Sequence, residues 1–175
     1  MTALLYVLLA ALIGVGGAMQ SSALGAIARS RGTAEAVWIS LLAGLGAIGL
    51  VLAWRAMRTG EAVLPAPLDR APLFVAAAVM ALVLLALSVR GLPAFYAGVG
   101  LFGLAYLAGS AFLVPKIGVG AFVGGLTAGT LITAVILDHV GALGATVQPL
   151  SVSRVAGVLA LLAGLVLIRS GAVSD

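Results

Sequence analysis

No cysteine occurs among the 175 residues, which removes disulfides, thiolate metal sites and thiol nucleophiles at once. Charge is nearly as scarce, with nine Lys and Arg, five Asp and Glu, and one histidine. A single imidazole leaves no H-E-x-x-H pair, and no serine stands in an evident Ser–His–Asp arrangement. No enzyme, metal site or cofactor is therefore expected. The alternation of apolar and polar residues over ~10-residue segments that marks a transmembrane barrel is also missing, because runs such as Leu82 to Leu87 and Leu159 to Ile168 are continuously apolar.

What fills the chain is hydrocarbon. Hydrophobic residues make up 63% and mean hydropathy is +1.31, well above the roughly half-apolar content of soluble domains. Five stretches carry no charge: Thr2 to Ala28, Ala36 to Trp54, Ala71 to Val89, Gly91 to Pro115 and Ile117 to Leu137. A sixth, Leu150 to Ile168, contains only Arg154, near enough to its start to snorkel toward headgroups. Each approaches or exceeds the ~20 residues that cross a bilayer as a helix, and lipid admits only helices or closed barrels. The expected fold is all-α, a polytopic transmembrane bundle forming one domain over 1–175. Its helices fall near 2–26, 35–54, 73–89, 94–114, 117–138 and 150–168, six in all or five if 73–89 does not span. The first run lacks a basic n-region and exceeds a signal h-region, so it reads as a retained helix. The expected setting is a membrane, with the bilayer as the main partner.

Net charge is +4 and pI about 10.4, but the basic residues are scattered through connections and form no stripe, so nucleic acid is not an expected partner. They bear instead on orientation. With six spans, Arg55, Arg58, Arg70, Lys116 and Arg169 fall on the side of the termini, and Arg29, Arg31, Arg90 and Arg154 on the other. Without 73–89 as a span the partition is again five to four. So small a bias favours insertion in both orientations.

Twenty-four glycines are costly in helices, and their spacing accounts for them. The fifth helix aligns Ala121, Gly125, Gly129 and Thr133; the first aligns Ala10, Gly14, Ala18 and Ser22; the sixth aligns Ala156, Ala160 and Gly164. Small residues at every fourth position let membrane helices approach closely, so Gly14, Gly125, Gly129 and Gly164 are expected at helix contacts or a cavity. "GVGLFG", Gly98 to Gly103, matches a dinucleotide pattern but lies within an apolar helix, where that pattern has no phosphate to cradle.

A few polar groups remain within or beside the spans. Gln20 and Ser21 lie deep in the first helix, where an amide needs a partner; they read as helix–helix hydrogen bonds or as points on a substrate pathway, with Thr130 a companion on the fifth helix. Glu35 stands in the first turn of the second helix, either complementing the helix dipole or holding an ion. Asp138 and His139 are consecutive, so their side chains diverge by ~100° on a helix. They read as an interfacial pair ending the fifth helix or as ion-coupling groups.

The segment Leu113 to Ile168 resembles the YdcZ-like small transporters of the drug/metabolite transporter superfamily. The likeness rests on Pro115, Gly118, Gly129, "LDHVGALG" from Leu137 to Gly144, and Arg154 with Gly157 and Gly164. "GLPAFYAGVGLFGLAYL" and "GVGGAMQ" are similar in the same order. The chain departs from the pattern at Leu24, where the family usually has Asn, and at Thr130, where it usually has Gln. Leu73 to Val89 looks like an addition to a five-helix unit. The resemblance implies a secondary transporter or exporter of a small molecule across an inner membrane, using alternating access in an antiparallel homodimer or beside a paralogous partner. The alternative is a non-transporting membrane subunit that stabilises or regulates another membrane protein.

Overall fold

The computed structural model describes residues 2–59, 65 and 70–171. Of the polar connection expected at Arg55 to Pro72, Arg55 to Thr59 continue α2 as helix, Ala71 and Pro72 open α3, and residues 60–64 and 66–69 lie outside the described residues. Five helices are present: α1 (Thr2–Arg31), α2 (Thr33–Thr59), α3 (Ala71–Ser88), α4 (Val99–Val140) and α5 (Val152–Gly171). No strand occurs among the described residues. The first four α-helices, α4 being counted with the turn Ala94–Gly98 that leads into it, are long and apolar enough to cross a membrane, and Val152–Gly164 is a shorter apolar stretch.

The turn expected at Arg29 to Gly32 is shorter than its sequence suggests. Arginine is a good helix former and favours the negative end of the helix dipole, so α1 continues through Arg31. Gly32 alone leaves helical geometry, at φ 106°. Its N–H donates to the Ala28 carbonyl at 2.9 Å and its carbonyl accepts from Ala36 N–H at 3.2 Å, so one residue closes α1 and opens α2.

Helix α4 is two helices joined at Gly118, whose φ of 77° and ψ of 161° lie in a region essentially restricted to glycine. Three residues earlier, Pro115 withholds an N–H from the preceding turn and loosens it. On either side of Gly118 two arms, residues 105–117 and 119–140, fold back on each other. Tyr106 and Phe122 approach with ring centroids 6.1 Å apart. Along α1, Ile13 meets Gly109 while Tyr6 meets Phe112, an antiparallel course. On the other arm Val7 meets Gly125, Ala11 meets Gly129 and Gly14 meets Leu126 and Thr130, a parallel course. The fourth and fifth expected helices are therefore separate segments with a one-residue reversal.

The chain divides into two compact units, residues 1–26 with 105–175, and residues 27–104. In the first, Ala10, Leu113 and Phe122 form the core, packed round by Tyr6, Ile13, Val114, Ile117 and Leu126. In the second, α2 and α3 run antiparallel, with Gly49 against Ala78 and Gly46 against Leu82. Gly100 sits against Ser40 and Ala43, so the glycine of "GVGLFG" serves close backbone packing. Arg31 donates to the Ser88 carbonyl at 2.6 Å and to the Arg90 carbonyl, satisfying oxygens that the end of α3 leaves without helical partners. The Trp38 indole N–H reaches the Ser88 hydroxyl at 3.3 Å. Arg31→Gln is expected to cost about 1 kcal/mol, as for a cation removed from a helix C-terminus; thermal unfolding in detergent measures it.

Candidate functional site

The site is a seam between α1 and the second arm of α4, within the unit formed by residues 1–26 and 105–175. Gly14 and Thr130 each lie about 18 Å along their segments, at ~1.5 Å per residue, close to half of a ~30 Å hydrocarbon core. The seam is built by missing side chains. A Cβ on Gly14 would fall on the Leu126 carbonyl and lie 2.9 Å from Thr130 N; one on Gly129 would fall on the Ala11 carbonyl; one on Gly125 would lie 2.9 Å from the Val7 carbonyl. Ala10 and Ala18 are buried along the same stripe of α1.

That backbone contact lets one polar group act across it. The Thr130 hydroxyl donates to the Gly14 carbonyl at 3.0 Å and lies 2.9 Å from the Leu126 carbonyl of its own helix, so one proton serves two acceptors. A Cβ on Gly17 would sit 3.7 Å from the same hydroxyl, which therefore occupies the notch between two glycines. Thr130→Val keeps the shape and removes the proton. It should cost about 0.5–1 kcal/mol, the usual worth of a helix–helix hydrogen bond in a membrane, measured by equilibrium unfolding in mixed micelles.

The other candidates lie elsewhere. Gln20 is half-buried, less than two turns beyond Gly14 on α1. Ser21 is exposed and donates to the Gly17 carbonyl of its own helix at 3.0 Å. Glu35 is exposed in the first turn of α2, in the other unit, and its carboxylate leans over Gly32, where a Cβ would come within 2.5 Å of it. Asp138 and His139 lie at the end of α4, about two turns past Thr130. Gly164 on α5 lines a cavity of about 370 Å³ together with Gly120, Gly124, Thr127, Ala128 and Ala160, and a Cβ on it would meet no atom within 4 Å.

Asp138 has a partner that the sequence alone did not supply. Arg154 Nη2 approaches its carboxylate at 3.5 Å and also donates to the Gln148 side-chain oxygen. His139 Nδ1 accepts from Leu150 N–H at 3.3 Å. The available signal was the lone cation of the last apolar stretch, one loop away from the acid that ends the preceding helix. Pairing them requires the path of that loop.

Chemically, the seam offers one hydroxyl, one nearby amide and otherwise backbone and hydrocarbon. Residues 71–167, more than half of the chain, match the family described as "Putative inner membrane exporter, YdcZ". The match takes in α3, α4 and most of α5, and with them Thr130, Asp138, His139 and Arg154. No curated protein and no solved structure matches the chain. The matched family is one of exporters and not of enzymes, and its location agrees with the several apolar helices. This multi-pass inner membrane protein belongs to the YdcZ family of inner membrane exporters.

Proposed function

We propose that this chain exports a small molecule by alternating access, as one half of an inverted pair formed with a second copy or a paralogous partner. The observation that carries the reading is the mid-span seam. Its helices meet backbone to backbone at Gly14, Gly125 and Gly129, and Thr130 lies about half a hydrocarbon core along its segment, the depth at which carriers place their substrate sites. Gln20 and Thr130 are the groups that would orient the substrate.

The near-even distribution of Lys and Arg across connections supports the inverted pair, since orientation follows that bias and two inverted copies generate the symmetry that rocking requires. A reporter fused to the C-terminus should give signal on both sides of the membrane, and one Lys added beside Arg29 and Arg31 should shift it to one side. A one-sided signal indifferent to that charge would count against two orientations.

Gln20→Leu tests the pathway. Transport should fall by tenfold or more, the order of one lost orienting hydrogen bond to substrate, while the amount of folded protein stays near normal. Equal loss of both would assign Gln20 to packing. Flux in liposomes containing only this chain excludes a non-transporting subunit, which gives none by itself.

A further inference from the structure

The connection between α4 and α5 is densely hydrogen-bonded, and several of its contacts return to two consecutive residues at the end of α4. The Asp138 carbonyl accepts from Gly141 N–H at 3.3 Å and from Gln148 N–H at 2.9 Å. The Asp138 carboxylate faces Arg154 Nη2 at 3.5 Å, and that guanidinium also holds Gln148 through its side-chain oxygen and, at 3.4 Å, its carbonyl. His139 accepts from Leu150 N–H. Ser151 caps α5 by accepting from Arg154 N–H at 3.3 Å, which fixes the residue bearing the guanidinium. Helix α5 is thus tied by its first turn to the last turn of α4.

The loop does not adopt this path by local preference. Gly141, Leu143 and Gly144 all have positive φ, at 62°, 56° and 75°, and a side chain such as that of Leu143 disfavours this region. Beyond the loop, little keys α5 to α4. Their facing surfaces around the 370 Å³ cavity are mostly glycine and alanine, with Val123, Thr127 and Leu161, and a methyl group at Gly157 or Gly164 would touch nothing. The close backbone contact that keys α1 to α4 at Gly14, Gly125 and Gly129 has no counterpart at Gly157 or Gly164, and the polar cluster stands in its place.

We propose that Asp138, Gln148 and Arg154 form a latch that holds α5 against α4, and that releasing it lets α5 move outward and open the cavity on its inner face. The latch belongs to one folded unit and does not depend on the transport reading, so the two can fail separately.

The absence of cysteine makes the test direct. Thr127→Cys with Ala160→Cys, spin-labelled in the full chain in lipid nanodiscs, reports the width of the cavity by pulsed electron resonance. Leu12→Cys with Ile132→Cys reports α1 against α4 in the same unit. In the otherwise unaltered chain the first pair should give one short, narrow distance. Arg154→Gln and Asp138→Asn should each add a population shifted outward by about 5 Å or more, the scale of a one-turn displacement, while the second pair stays fixed. Exchanging the charges, Asp138→Arg with Arg154→Asp, should restore the short distance. Unchanged distances in both single variants would overturn the latch. So would broadening that the exchange leaves in place, or loss of order in both label pairs, which would make the cluster a general requirement for folding.

Discussion

Replacing Gly129 with leucine should separate α1 from α4 and destabilise the protein by at least about 1–3 kcal/mol, the cost of overpacking a close contact. The reason is what the new atoms would strike. A Cβ at this position falls on the Ala11 carbonyl, with the Ala11 carbonyl carbon at 2.7 Å and its Cα at 3.0 Å. A backbone neighbour cannot rotate aside as a side chain can, so only moving the helices apart relieves the overlap. Separation also breaks the hydrogen bond from Thr130 to Gly14. Gly164→Ala is the matched control: nothing lies within 4 Å of its added methyl, so it should be neutral or stabilise by up to ~1 kcal/mol through helix propensity. Unfolding titrations of both variants in mixed micelles measure the contrast. Equal stability for the two would mean that the α1–α4 seam is not a close contact.

Gly118→Val should be comparably severe, through a different mechanism. Here space is not limiting, because no atom lies within 4 Å of an added Cβ. The obstacle is the backbone itself, which at φ 77° and ψ 161° costs a β-branched residue about 1–3 kcal/mol or more. A chain that cannot reverse there tends to continue as one long helix and carries everything after it to the wrong side. Tyr106→Cys with Phe122→Cys, positions whose rings lie 6.1 Å apart, should crosslink efficiently with glycine at 118. With valine there, crosslinking should fall severalfold. Equal crosslinking in both would show that the reversal does not need glycine.

These two glycines also show what the sequence revealed and what it withheld. The spans were legible because hydrocarbon demands ~20 apolar residues per crossing, and the break near Gly118 was legible from Pro115 and Lys116 interrupting an apolar run. That small residues on α1 and α4 would be packing positions followed from four-residue spacing. Which helices they would join did not follow, because spacing identifies a ridge and not its partner. The same spacing on α5 faces a cavity. The end of α1 was misplaced by five residues, since Arg29 and Arg31 read as turn residues when flanked by apolar sequence yet are good helix formers. The pairing of Asp138 with Arg154 was hidden for a topological reason, as it exists only once the loop between them has folded through three left-handed residues.

The most direct test of the account is flux through liposomes that contain this purified chain alone. Small molecules that raise its melting temperature are loaded on one side, and their movement is followed with the unsubstituted chain, Gln20→Leu and Gly164→Ala in parallel. For a pair of identical copies the account predicts saturable, substrate-specific flux from the single gene product, reduced tenfold or more in Gln20→Leu and intact in Gly164→Ala; for a paralogous pair the same flux appears once the paralogue is added and requires this chain. Absence of flux for every stabilising ligand from correctly folded protein, with flux appearing only when a different membrane protein is added that transports equally well without this chain, would contradict it.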